Sequence, residues 1–312
     1  MTARVRRRRT LLPALLAFGL VPVLYAAAPA VPGSAKAAVV EKSIFVSVVD
    51  ANARPVKDVK LGDILLREDG QDREVVAIKP ASQPLSVAVL VDTAQGSRVR
   101  DAYGTPEEYV RDLRVSVGAF VQQMFLLHPQ AAVSLMEFGQ AAITMVPYTS
   151  DAAEIEKGIN RIVARPGVAS VLAEALEAAN KDLAKRPGGR RAIVSINLEP
   201  SDEQSFENGN AIKDAFRKSG AQLWSISVQR GGLKNSRRDL VLNDFSKLSG
   251  GRRDFVVGIS AVPDILRAYA NALAMQYEVV YKRPDANKTP QALQTGTLLQ
   301  NVKVHASGFA PQ

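Results

Sequence analysis

The hydrophobic period of this chain changes near residue 84. From Ser43 to Ile78 apolar and polar positions alternate: "SIFVSVVD" places Ile44, Val46 and Val48 on one side, and "ILLREDGQDREVVAI" is two strand-like runs around Asp69-Gly70. Period-two alternation predicts half-buried strands, and Asp-Gly between two of them predicts a tight hairpin. A short proline-containing linker, "KPASQP", follows. Beyond it the apolar runs "LSVAVLVD", "AAVSLMEFG", "RRAIVSIN" and "AQLWSISVQ" alternate with helical patterns at about Pro106 to Leu127, Asp151 to Ala164, Ser170 to Ala184, Asn208 to Ser219 and Arg238 to Leu248. Near-continuous apolar strands between amphipathic helices predict an α/β fold, a doubly wound and mostly parallel sheet with helices on both faces. "ITMVPYT" predicts an antiparallel edge strand. After a last helix, the alternations Tyr277, Val279, Tyr281 and Val302, Val304 predict a terminal β-pair. The expected division is a small β-module at 38–83, the α/β domain at 84–275 and a C-terminal β-extension at 276–312.

The first 37 residues stand outside this pattern. "RVRRRR" is basic, "TLLPALLAFGLVPVLYAAAP" is apolar and uncharged, and Ala35 to Ala37 is a small-x-small sequence. This is the layout of a cleaved signal peptide, with Pro13, Pro22 and Pro29 arguing against a retained span. The expected location is periplasmic or secreted. The formal charge of +9 shrinks accordingly, because Arg4, Arg6, Arg7, Arg8, Arg9 and Lys36 precede residue 38 with no acid among them, and removing six charges from nine leaves +3. Nucleic acid is therefore not an expected partner, and no membrane span is expected after cleavage. The chain has no cysteine, so neither a disulfide nor a lipid-bearing thiol is available.

Candidate chemistry centres on the end of the strand in "PLSVAVLVDT", where Asp92 closes an apolar run. In an open α/β sheet the ligand face lies beyond the carboxyl ends of the strands. A strand ending in Asp, a loop and a long helix resembles the first element of a von Willebrand factor type A domain. The exported start, "DANARPVKDVKLGDILLREDGQDREVVAI", "RRAIVSIN", "QYEVVYKRP" and "GFAP", in this order, are together similar to the VWFA-related acidobacterial domain family. The resemblance implies a protein-binding module. In the wider fold family this strand end carries Asp-x-Ser-x-Ser, completed by a Thr and a second Asp into a metal-ion-dependent adhesion site. Here Asp92 matches, Ala94 and Gly96 stand in the two serine positions, Ser170 stands where the Thr would lie, and Asn197 or Leu198 replaces the second Asp. A hard cation such as Mg²⁺ needs more oxygen ligands and more negative charge than this set supplies. The site is read as vestigial, with Ser97, Asp101 and Asp202 as the residues that would have to substitute. No cofactor is expected, and Asp92 is expected to accept backbone N–H bonds beyond its strand.

The remaining candidates are few. His128 reads as a helix-end residue, His305 lies in the last strand, and Trp224 reads as core. There is no nucleophile elbow, Ser-x-x-Lys pair, phosphate loop or His-rich metal motif, so no enzyme is expected. The basic loops "KRPGGRRA", "RGGLKNSRRD" and "GGRRD" read as solvated turns. Thr93, Gln95, Ser97, Tyr103 and Tyr109, around the Asp92 loop, are the expected partner contacts. Two functions follow: a protein-binding module of the cell envelope or exterior working through its strand-end face, or an assembly subunit pairing through its β-edges.

Overall fold

The computed structural model describes residues 38–95, 105–206, 209–229, 234–285 and 290–311. The expected signal segment, together with Gly96, Ser97, Asp101 and Tyr103, lies outside them.

Six strands make the central sheet: β5 (Leu85–Val91), β7 (Ala132–Phe138), β8 (Ala142–Thr149), β10 (Arg190–Leu198), β11 (Gln222–Val228) and β12 (Arg252–Val256). Their order is β12-β11-β10-β5-β7-β8, parallel throughout except for β8, which runs antiparallel at the edge as expected of "ITMVPYT". Helices α1 (Pro106–Leu127), α2 (Ala152–Asn160) and α6 (Val262–Ala274) belong to the apolar layer on one face, with Val87, Val89, Val194 and Trp224 of the sheet. On the other face α3 (Leu172–Ala184), α4 (Gly209–Ser219) and α5 (Ser236–Leu248) pack on Ala88, Leu90, Ile193 and Leu223. The inner strands β5, β7, β10 and β11 are buried on both sides, and so read as mostly apolar runs. Among the described residues no helix is long and apolar enough to cross a membrane.

Chain direction around β5 positions the site. The chain leaves β5 toward β7 on one side and later returns to β10 on the other, so the strand order reverses at β5. Such a switch point opens a crevice at the carboxyl end of the strand, where Asp92 stands.

The β-rich segments at the two ends of the chain form a second layer. β1 (Val39–Asp50) lies between β13 (Tyr277–Pro284) and β15 (Val302–His305), and β4 (Glu74–Pro80) covers the other edge of β13. A smaller sheet, β14 (Leu293–Thr297), β2 (Ile64–Glu68) and β3 (Gln71–Asp72), closes over it around Val46, Val48, Leu66 and Tyr281. Asp69 and Gly70 sit at φ 46° and 81°, the two positive values a two-residue hairpin turn requires. The C-terminal strands do not pair with each other, because β1 inserts between them. The boundaries expected at 83/84 and 275/276 thus separate sequence segments that share one sheet.

This layer is joined to the α/β layer mainly by polar contacts. Ile44, Val46 and Val48 of β1 face the sandwich core, whereas Val49 joins the α/β core and the Ser47 hydroxyl donates to Ala272 O at 2.8 Å. Gln276 bridges to Ser47 Oγ (3.3 Å) and Gln222 Oε1 (3.0 Å). Arg190, 1 % exposed, reaches five acceptors here, Leu273 O, Ala274 O, Gln276 Oε1, Ala81 O and Gln83 O. The "KPASQP" segment, expected as a mobile linker, is held by that guanidinium and by Ala81 N–H donating to Gln276 O.

Candidate functional site: the strand-end face

Asp92 is fully buried, and its two oxygens are shared among four donors. Oδ1 accepts from Ser170 Oγ at 2.7 Å and from Ala94 N at 3.1 Å. Oδ2 accepts from Leu198 N at 3.1 Å and meets the Arg238 guanidinium at 2.7 Å. The backbone-accepting role expected of this aspartate is therefore present, and Ser170 is where the sequence placed it. Asn197 is not part of the group: its amide donates to Ser195 Oγ and Ile226 O, toward the neighbouring strand. Asp202 offers its backbone carbonyl to Ser170 N, while its residue surface is exposed.

Arg238 is the residue that sequence reasoning missed. It lies in the first turn of α5, with Asn235 as N-cap, and its side chain is completely buried. Besides Asp92 it holds Glu203 Oε2 through Nε at 2.9 Å and donates through Nη1 to Leu198 O at 2.7 Å. Burial opposes its charge. The carboxylates of Asp92, Glu203 and Glu199 outweigh that and hold the guanidinium above its ordinary pKa. A cation at a helix N-terminus works against the helix dipole, so these acids are what keep it there. Arg253 repeats the arrangement next door, meeting Glu199 at 3.2 Å and Asp239 at 2.8 Å with 5 % of its side chain exposed. The loops read as solvated turns thus supply three buried arginines, Arg190, Arg238 and Arg253.

The donor set does not fit a divalent ion as it stands. Position 94 is an alanine, Asn197 is turned away, and a guanidinium already occupies the free side of Asp92. Among the described residues there is no group of three or more metal-ligating side chains.

The expected partner contacts are corrected by the backbone that covers them. Thr93, Gln95 and Tyr109 are all buried. A strap at β9 (Arg165–Pro166) pairs with β6 (Ala94–Gln95): Arg165 N donates to Thr93 O and Gly167 N to Gln95 O. Beneath it Thr93 Oγ1 donates to Glu137, which also binds Arg165 Nη2 at 2.5 Å. Tyr109 lies under the α1 start, where burial and then the Asp92 charge raise its phenol pKa. What the face exposes is Phe206, 93 % accessible, in the segment after β10, and Leu240, 70 % accessible, on α5. Both border a groove of about 840 Å³ with Leu172, Val241 and Phe245 in its walls.

The family model described as von Willebrand factor type A domain matches residues 87–197, from β5 to the end of β10. A search of curated protein sequences gives no match. Solved structures with similar folds include a conserved hypothetical protein, BatB, from Bacteroides thetaiotaomicron, at 17 % identity over 60 % of this chain and 98 % of that one, TM-score 0.45. The PilB minor pilin from Streptococcus sanguinis is similar at 10 % identity over 62 % of each chain, TM-score 0.47. A von Willebrand factor type A protein from Catenulispora acidiphila is similar at 8 % identity over 86 % of this chain and 74 % of that one, TM-score 0.47. The six-stranded sheet, its helices on both faces and the family match identify the α/β layer as a von Willebrand factor A-like domain.

Proposed function

We propose that this chain is an exported, non-enzymatic protein-binding module of the VWFA-related bacterial type, which captures its partner at the strand-end face without a bridging metal. Von Willebrand A-like domains often mediate protein–protein interaction, and one observation on this face carries the reading. Phe206 stands 93 % exposed at the mouth of the groove beside Leu240. Burying a phenylalanine is worth about 1.5–3 kcal/mol, which this fold forgoes and a partner would recover. Export rests on the basic and apolar N-terminal sequence.

A photo-crosslinking amino acid placed at position 206 should capture a discrete partner in the extracytoplasmic fraction. With that partner purified, Phe206→Ala should weaken binding by about 30-fold, equivalent to ~2 kcal/mol, while leaving stability within ~0.5 kcal/mol. Unchanged affinity would refute the reading. A second reading, assembly through β-edges, is favoured by Phe255 (49 % exposed) and Val257 (72 % exposed) along and just beyond the β12 edge. The same crosslinker at Val257 distinguishes them: capture there and not at 206 selects the edge.

A further inference from the structure

We propose that Arg238 is the resident cation of the strand-end site, and that a divalent-cation site lies latent beneath its guanidinium. Around the guanidinium stand Asp92 Oδ2, Glu203 Oε2 and Leu198 O, all within 2.9 Å of its nitrogens. These are two carboxylates and a carbonyl, hard oxygen donors of the kind that Mg²⁺ and Ca²⁺ take. The Ser170 hydroxyl is on the other oxygen of Asp92. A cation bound to this face from solution would have to displace a side chain that is covalently attached, completely buried and held by two acids. The chain thus keeps a cation beside Asp92 permanently, and the strand-end loops hold one arrangement whatever the divalent-ion concentration.

The sequence arrangement supports the same role. Glu203 lies between Ser170 and the groove: the Ser170 and Glu203 backbones form a bridge, and its Oε1 accepts from Leu172 N and Ser205. Arg238 therefore ties the loops after β5 and β10 to the first turn of α5, and through Asp92 and Glu203 the segment before α3 is joined to them. A neutral side chain of similar length would leave Asp92 and Glu203 as buried carboxylates without a counter-charge, which is strongly destabilising. This inference is independent of the binding reading, because its readout is ion-dependent stability and not partner capture.

The experiment compares thermal unfolding of the full chain, wild type and Arg238→Ala, in chelator and in titrations of MgCl₂, CaCl₂ and MnCl₂, with NaCl at matched ionic strength. Wild type should show no saturable rise in Tm. Arg238→Ala should melt lower in chelator and recover several degrees saturably with at least one divalent ion, because an ion that binds only the native state stabilises it. Asp92→Asn/Glu203→Gln in the Arg238→Ala background should melt above Arg238→Ala in chelator and lose the ion response. If Arg238→Ala does not fold by itself, folding of the triple variant, or of Arg238→Ala refolded with Ca²⁺, supports the counter-charge role. Failure of both overturns it. Saturable stabilisation of wild type, or an Arg238→Ala protein that folds yet ignores all three ions, also overturns the proposal.

Discussion

Replacing Arg190 by methionine tests whether the two layers are one cooperative structure. The guanidinium donates to Leu273 O at 2.6 Å, Ala274 O at 3.0 Å and Gln276 Oε1 at 3.2 Å, and to Ala81 O and Gln83 O at 3.3 Å. No carboxylate is among these acceptors, and burial pulls its pKa down to about 10, more than two units below the ordinary guanidinium value. At ~1.4 kcal/mol per pKa unit, keeping it charged costs about 3 kcal/mol. Five bonds from a charged donor, taken near the low end at ~1.5 kcal/mol each, exceed that cost by about 4 kcal/mol. Arg190→Met keeps the apolar stem and removes both terms, so the variant should lose about 4 kcal/mol. In urea this lowers the unfolding midpoint by more than about 1 M. The loss should be accompanied by proteolytic cleavage at residues 80–84 that wild type should resist, because the Arg190 guanidinium holds Ala81 O and Gln83 O. A midpoint shift under about 0.3 M with the segment still resistant would show that the carbonyls find other donors and that Arg190 is not the tie between layers.

Two further outcomes follow from single positions. Gly250 sits at φ 71°, and a Cβ there would lie 1.5 Å from Ala306 O, a backbone atom of the strand layer. Gly250→Ala should therefore cost ~3 kcal/mol or more, read as a lowered urea midpoint, whereas Gly62→Ala, with open space at its Cβ, should be nearly neutral. His305 is held below its ordinary pKa chiefly by burial, with its Nδ1 against Gly251 O at 2.8 Å. The unfolded chain then binds the proton more readily, so stability present above about pH 6.5 is lost as pH falls through that value, by up to ~1.4 kcal/mol per pH unit. His305→Gln should flatten the Tm-against-pH profile between pH 7 and 5, leaving the smaller slope from His128, whose pKa is also lowered by burial.

The sheet, its helices and the place of the site were legible because each follows from local pattern. The β5, β10 and β11 runs are mostly apolar and buried nearly throughout, the Asp69-Gly70 turn needs two positive φ values, and Asp92 and Ser170 are strand-end and loop positions that the fold class brings together. What could not be read were partners. Alternation along "SIFVSVVD" gives two faces but not the identity of the neighbouring strands, so β1 gave no sign that it would sit between β13 and β15. Thr93 and Gln95 looked available because the strap paired over them, "ARPG", has no strand pattern of its own, and Tyr109 because its place in the first turns of α1 did not show that it faces the core. Arg238 was hidden by its surroundings, since "LKNSRRD" has the composition of a solvated helix start. The one available signal was energetic: a cation in a first helical turn opposes the dipole and calls for buried acids nearby.

That signal bears on how the chain holds its layers together without a disulfide. Each buried guanidinium sits where elements distant in sequence converge. Arg190 joins the 81–83 segment, the start of β10 and the end of α6, while Arg238 joins the loops after β5 and β10 to α5, and Arg253 joins β12 to Glu199 and α5. Apolar side chains in place of each whole charged group, arginine and acids together, would add hydrophobic burial, but they would accept several packings of the loops. A planar group whose donors point in fixed directions is matched by far fewer, and in Arg238 Nε and Nη1 alone already fix two carboxylates and a carbonyl. The stabilisation gained over an apolar replacement is small or negative for buried ion pairs in general, so uniqueness of the strand-end loops is the more consistent reason for Arg238 and Arg253. Arg190 differs, because its acceptors are uncharged: four backbone carbonyls, of α6 and of the 81–83 segment, and the Gln276 amide oxygen. Removing either should therefore cost stability, but the loss on removing Arg238 should be recovered when Asp92 and Glu203 are neutralised as well, whereas the loss on removing Arg190, which faces no carboxylate, should not.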